Sequence, residues 1–378
     1  MSTPPAPEPD TKDWTWVLMR PCTDCGFVAA DVDRAALGAA VRANAEAFAL
    51  ALRAPGATRR PDAGTWSVAE YSCHVRDVHR VFEGRVRSML EADAPVFPNW
   101  DQDETALAER YDLQEPAVVG PELVAAAEGI AAAYDAVPDD AWERRGLRSN
   151  GSAFTVDTLA RYHLHDVVHH LWDVRDAVTV GAYDAAALDY RDATQVMPDS
   201  GRRVIRAFAD SLRAGARVLE IGSGGGRDAR ALEDVGLSVR RTDVTPSFVS
   251  LLRDTGVDAD VLDPLTDDLD DPARPGQPYD GVWAGASLLH VARADLPVVL
   301  TRLAAATRPG GALRMSVKEG DGEGWSTHGV VRAPRMFVYW REQPLRSVLD
   351  AAGWLVEDVH RAVSDSGEHW LGATARRR

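Results

Sequence analysis

Apolar residues recur at helical spacing through the first half of the chain. Leu37, Val41, Ala45, Phe48 and Leu52 form one stripe within residues 30–53 and predict a helix there. A second helix is expected over residues 67–90, where Ser67 and Glu70 have the spacing of a capping box. Residues 121–137 predict a third, ended near Pro138, and residues 155–178 a fourth, with Thr155 as N-cap. No alternating strand pattern interrupts them. The expected fold of this half is an all-α four-helix bundle over residues 31–180, after a lead-in and CxxC segment at 1–30. Residues from Thr179 to Ala186 read as a linker.

The texture then changes. A helix through residues 201–212 leads into short apolar runs, RVLEIG, SVRRTDV, ADVLD, YDGVWAG and ALRMSV, separated by helical stretches. That alternation predicts a mainly parallel sheet covered on both faces. The late segments WLVEDVHRAV and HWLGATARR suit an antiparallel pair, giving seven strands. The second domain is therefore α/β and Rossmann-like, over residues 187–378.

A length of 378 residues agrees with two domains rather than one core. Fifty-eight acidic against 42 basic residues give a net charge of -16, which argues against a general polyanion-binding surface. Small molecules fit better than nucleic acid. Lys12 and Lys318 are the only lysines. No apolar run reaches the length expected of a membrane span, and MSTPPAPEPDTKDW has no hydrophobic signal region. The expectation is a disordered lead-in to a cytoplasmic protein with no membrane partner. Cys22, Cys25 and Cys73 do not make a disulfide framework.

The strongest local signal is RVLEIGSGGGRD, residues 217–228, where an apolar strand runs into Gly222, Gly224 and Gly226. Glycine permits positive φ and close approach of a ligand to the backbone. A dinucleotide fingerprint needs another glycine where Arg227 stands, and no Gly-Lys-Ser/Thr follows for a phosphate loop. E-x-G-x-G-x-G instead resembles motif I of class I S-adenosylmethionine-dependent methyltransferases. Asp243 ends the next strand, where an acid meets ribose hydroxyls, and Asp263 resembles the acid that meets the adenine amino group. YDGVWAGASLLHV resembles motif IV, and RPGGALRMSV the turn entering the fifth strand.

The resemblance covers the whole C-terminal half. It implies S-adenosylmethionine as cofactor, held by Glu220, Gly222, Gly224, Gly226, Asp243 and Asp263. Methyl transfer needs mostly alignment and a dry site, with a base only where the acceptor must lose a proton. His290, just past the fourth strand, is the candidate base; bracing the loop is the alternative role. The glycines of KEGDGEGW predict a mobile loop over the substrate, with Lys318, Glu319 and Glu323 as candidate contacts, or an acidic solvent loop. Phe337, Tyr339 and Trp340 either wall the pocket or pack in the core.

Histidines form a second constellation. His165 and His169 share one face of the fourth helix, Asp166 and His170 an adjacent one, and His163 is close by. On the second helix, His79 lies five residues beyond His74 and so points elsewhere. The pattern W-S-x-x-E-x-x-x-H at Trp66, Ser67, Glu70 and His74 resembles the DinB-like four-helix bundles, which include mycothiol-dependent isomerases. The resemblance implies one histidine from the second helix and two from the last around a divalent metal. It carries over to His74, His165 and His169, with His170 as the alternative to His169 because HHLWD departs from the commoner ending. Zinc, nickel or iron suits three such ligands, and the open positions suit a low-molecular-weight thiol.

Cys22 and Cys25 make a single CxxC, which lacks the second pair of a four-cysteine zinc site. They read as two packed thiols, or as a redox or metal-capping pair near Cys73. The expected function is methyl transfer to a small molecule, with a metal-binding bundle that recruits substrate. The alternatives are thiol transfer or isomerisation at the bundle's metal, and sensing of thiol or metal with S-adenosylmethionine as a ligand.

Overall fold

The carboxylate of Asp33 accepts the amide of Ala35 and starts a short 3-10 turn that leads into α1 (Leu37–Ala51). Leu37, Val41, Ala45 and Phe48 are buried along it, as the stripe requires. α2 (Val68–Glu91) opens on the expected capping box, with Ser67 bonding the Glu70 amide and Glu70 bonding back. These observations come from a computed structural model that describes residues 13–364 and 367–378. The first 12 residues of the expected lead-in lie outside the described residues.

A short strand β1 (Val96–Phe97) and the short helix α3 (Gln102–Ala108) precede α4 (Pro116–Asp135). Then come β2 (Arg145–Arg148), β3 (Ala153–Thr155) and the long α5 (Val156–Ala185). β1, β2 and β3 form a three-stranded sheet, which the helical pattern did not predict because the strands are only two to four residues long. α4 corrects another expectation: by length and composition it is long and apolar enough to cross a membrane. In this unit it packs on α1 and α2 with Val119, Leu123 and Ile130 fully buried. Each such side chain contributes about 1.5–3 kcal/mol of burial free energy.

The chain divides into two compact units, Met1–Val178 and Thr179–Arg378. The expected linker from Thr179 is helical instead, as the end of α5. α6 (Ala187–Thr194) and α7 (Asp199–Asp210) lead into the sheet of the second unit. Its first half reads β4 (Arg217–Ile221), α8 (Arg227–Asp234), β5 (Ser238–Asp243), α9 (Pro246–Asp254) and β6 (Asp260–Val261). Its second half reads β7 (Tyr279–Ala284), α10 (Leu296–Ala306), β8 (Thr307–Glu319), β9 (Glu323–Ser326), β10 (Arg335–Trp340), α11 (Glu342–Ala351), β11 (Trp354–Val363) and β12 (His369–Arg377).

The strand order is β11-β12-β8-β7-β4-β5-β6. β4 to β8 are parallel, while β12 runs antiparallel to both β8 and β11. The seven expected strands are present, and β9 with β10 extends the sheet beyond them. From β4 the chain builds outward to β6, then returns to β7 on β4's other side. Ligands of open parallel sheets bind at the carboxyl ends of the strands, where the order reverses. In this sheet that point lies between β4 and β7.

Candidate functional site

The glycine loop leaves β4 at that reversal. Gly222 takes φ +77, and a Cβ there would lie 2.4 Å from the Cβ of Ser287, so only glycine lets this loop meet the one after β7. Gly226, at φ +76, turns the chain into α8. Between them the Gly224 amide donates to Oδ2 of Asp243 at 2.8 Å, and the Thr245 amide donates to Oδ1 at 2.8 Å. Asp243 is buried, which raises its pKa against the pull of those amides. Two oxygens oriented by backbone donors keep lone pairs for vicinal hydroxyls.

Glu220 sits on β4, 1% exposed. Burial pushes its pKa up to about 8, with the charge of Asp228 acting in the same direction. The Ser223 hydroxyl donates to Oε2, while Oε1 has no partner. A buried oxygen without a donor costs about 1–3 kcal/mol, and a cationic or N–H-bearing ligand relieves that cost. Asp263 stands half-buried just past β6, with Oδ1 accepting the Leu265 amide at 2.8 Å.

His290 is held from both sides. Its Nδ1 faces the Met336 carbonyl at 2.6 Å, which requires a donor there, and its Nε2 then accepts the Tyr183 hydroxyl at 3.0 Å. Burial pushes its pKa down to about 4, so the ring is neutral. Arg335 also donates to the Tyr183 oxygen at 3.2 Å. Tyr190 packs toward the glycine loop, 3.6 Å from where a Gly224 Cβ would be. Tyr183, Tyr190 and Arg335 were not singled out in the sequence, because no local spacing connects them to the loop.

The expected loop over the substrate is instead the end of β8, a turn and β9, which pairs antiparallel with β10. Lys318 is buried, ion-paired with Glu368 and 4.1 Å above the Phe337 ring. Glu319 pairs with Arg361 at 2.8 Å, and Glu323 accepts the Arg293 amide at 3.1 Å. Phe337 and Trp340 are core residues, and Tyr339 is half-buried.

In the first unit the histidines sort differently from expectation. Among the described residues His74 groups with Asp166 and His170, while His165 and His169 group with Cys22 and Cys25. His74, His165 and His169 are not brought together in one cluster. The reason is angular: a one-residue step along a helix turns the side chain by about 100°, so α5 sends its two i, i+4 pairs to separate places.

Nε2 of His74 lies 3.7 Å from Asp166 Oδ2, and Nε2 of His170 lies 3.4 Å from Oδ1. Both His74 nitrogens are buried without a hydrogen-bond partner. Burial would lower the pKa of His170, yet Asp166 and Asp173 raise it to about 10. Asp173 accepts from its Nδ1 at 2.9 Å, the carboxylate support usual behind a metal-binding imidazole. The orphaned nitrogens and the carboxylate between two imidazoles fit a divalent cation.

Trp100 stacks on His74, and both clusters border a cavity of about 660 Å³ lined also by Trp14, Trp66, Tyr71 and Arg148. His79 belongs elsewhere: its Nδ1 is 3.0 Å from His163, which in turn meets the Tyr134 hydroxyl at 3.0 Å. Cys73 meets Gln114 at 3.5 Å, and Cys22 instead faces His169, so the alternative reading that set the CxxC pair near Cys73 is not what forms.

Two sequence families match this chain. Residues 38–174 match the DinB superfamily, and residues 194–359 match a methyltransferase domain. The chain joins a DinB-superfamily domain to a methyltransferase domain. Among solved structures, the Burkholderia thailandensis 1,6-didemethyltoxoflavin-N1-methyltransferase, with 1,6-didemethyltoxoflavin and S-adenosylhomocysteine bound, is 24% identical. That match covers 52% of this chain and 87% of that one, with a TM-score of 0.42. The [4+2]-cyclase SpnF is 19% identical over 52% of this chain and 93% of its own, with a TM-score of 0.40. The N-methyltransferase NodS from Bradyrhizobium japonicum WM9, in complex with S-adenosylhomocysteine, is 15% identical over 47% and 85%, with a TM-score of 0.36. The search of curated proteins gave no match.

Proposed function

We propose that the methyltransferase domain transfers a methyl group from S-adenosylmethionine to a small molecule. The observation that carries this reading is the Asp243 carboxylate, fixed by the Gly224 and Thr245 amides at the sheet's reversal point. S-adenosylmethionine supplies a methyl group on an already activated sulfonium. In this reading Asp243 binds the ribose hydroxyls, Gly222, Gly224 and Gly226 let the donor approach the backbone, and Asp263 meets the adenine edge. Glu220, with its free Oε1, faces the positive end of the donor. His290 is neutral, with an Nε2 that accepts a proton once Tyr183 moves off it. In the same reading Lys318, Glu319 and Glu323 contact the acceptor, in exchange for their pairs with Glu368, Arg361 and the Arg293 amide. A net charge of -16 favours a small acceptor over a nucleic acid.

In the same proposal the DinB domain holds a divalent metal at His74, Asp166 and His170. Three protein ligands leave coordination positions open toward the cavity, where a substrate or low-molecular-weight thiol binds. The cavity itself favours a second reading, thiol transfer or isomerisation at that metal, with the methyltransferase domain serving as a binding module.

Incubating the full chain with methyl-labelled S-adenosylmethionine and a metabolite extract separates the two. Label in a small organic product, lost in Asp243→Ala, supports methyl transfer. No labelled product from any extract fraction contradicts it.

A further inference from the structure

Cys22 and Cys25 stand on one tight turn. The Cys22 carbonyl accepts the Gly26 amide at 3.1 Å, the Cys22 amide donates to the Phe27 carbonyl at 2.9 Å, and Gly26 takes φ +73. Opposite the turn, α5 offers His165 and His169, one helical turn apart. Two sulfurs and two imidazole nitrogens thereby lie within 4.8 Å of one another.

The spacing is that of ligands around one ion. Cys22 Sγ lies 3.6 Å from His169 Nδ1. A tetrahedral zinc about 2.3 Å from sulfur and about 2.05 Å from nitrogen holds those atoms about 3.6 Å apart. Packed thiols alone leave the buried Nε2 of His165 without a partner. The other nitrogen of His169 faces Asp173 Oδ1 at 3.7 Å, where a supporting carboxylate belongs. Cys22, His165 and His169 are buried and Cys25 is half-buried.

We infer that Cys22, Cys25, His165 and His169 form a closed zinc site, separate from the open cluster at His74, Asp166 and His170. Thiolate and imidazole ligands select zinc over magnesium, calcium or manganese. Four protein ligands leave no position for substrate, so the role is structural. The ion fastens the segment before α1 to the last helix of the bundle. That segment carries Trp14, whose ring lies 4.9 Å from the His169 ring and lines the cavity. One wall of the substrate cavity therefore depends on this ion. Binding releases the protons of both thiols.

Cobalt(II) loaded into the metal-free full chain reads the site directly. The expected spectrum has a thiolate-to-cobalt charge-transfer band and strong tetrahedral ligand-field bands, saturating at one equivalent. Both are lost in the Cys22→Ser, Cys25→Ser double variant and kept in His74→Ala, whatever happens at the open cluster. In unaltered protein, zinc slows alkylation of Cys22 and Cys25 by at least about tenfold, and a chelator restores it; this arm needs no variant to fold. No charge-transfer band in the wild type, or a band that survives the double variant, overturns the inference. A band lost in His74→Ala, alkylation indifferent to zinc, or a zinc-free Cys22–Cys25 disulfide in the isolated chain overturns it equally.

Discussion

The Gly224 amide donates a 2.8 Å hydrogen bond to Oδ2 of Asp243, which makes the glycine loop and the acid ending β5 a single element. On the proposed reading, removing that acid takes away a ligand contact as well as the anchor of the loop. Asp243→Asn replaces one acceptor with an N–H that must face a backbone N–H. Both Asp243→Ala and Asp243→Asn are therefore expected to weaken S-adenosylmethionine binding by about 10- to 100-fold, the loss of one hydrogen bond to a charged group. Calorimetry on the two variants checks it; an Asn variant equal to wild type contradicts it.

Glu220 predicts a pH dependence of stability. Between the ordinary carboxylate range and about pH 8, the unfolded chain has released this proton while the folded chain keeps it. Unfolding then releases a proton, so this group's contribution to stability is full at low pH and is lost as pH rises through about 8. Urea midpoints measured across that window should fall less steeply for Glu220→Gln than for wild type. Parallel curves for the two proteins would remove this account of Glu220.

His290 predicts the opposite slope. Its folded-state value of about 4 lies below that of a free histidine, so stability is lost as pH falls from the ordinary histidine range through about 4. Methyl transfer should show no inflection from this ring near neutral pH. Rate profiles of wild type and His290→Gln should then differ in height but not in shape around neutrality. A wild-type inflection near neutral pH that vanishes in the variant would show that the ring titrates there.

At the bundle's open cluster, Asp173 orients His170 through the 2.9 Å hydrogen bond to Nδ1. Asp173→Asn should weaken divalent-metal binding about 10- to 100-fold, as loss of a supporting carboxylate does elsewhere. His74→Ala should abolish binding at that cluster. Competition with a metallochromic chelator measures both, and unchanged affinity in His74→Ala would place the metal elsewhere.

Much of this was legible from spacing. The parallel sheet followed from alternating apolar runs, and the glycine loop and Asp243 from a motif whose parts are close in sequence. The histidine clusters were legible only in part. The i, i+4 rule identified both pairs on α5, His165 with His169 and Asp166 with His170, but it says nothing of what faces them. That depends on where His74 and the CxxC turn arrive, and Cys22 is 147 positions from His169. The short sheet of β1, β2 and β3 was missed because such short strands carry no period. The segment after β8 was read as a mobile loop because its glycines suit a short turn between strands as well as a loop, and β9 pairs with the distant β10. Tyr183 and Arg335 meet His290 only through tertiary packing.

The central claim is that the second domain binds S-adenosylmethionine through the glycine loop and Asp243. Isothermal titration of the full chain with S-adenosylhomocysteine tests it most directly, because the demethylated product binds without turnover. The account predicts saturable binding at one equivalent per chain, abolished or strongly weakened in Asp243→Ala. No heat of binding in the wild type, or binding unchanged by that substitution, would contradict it.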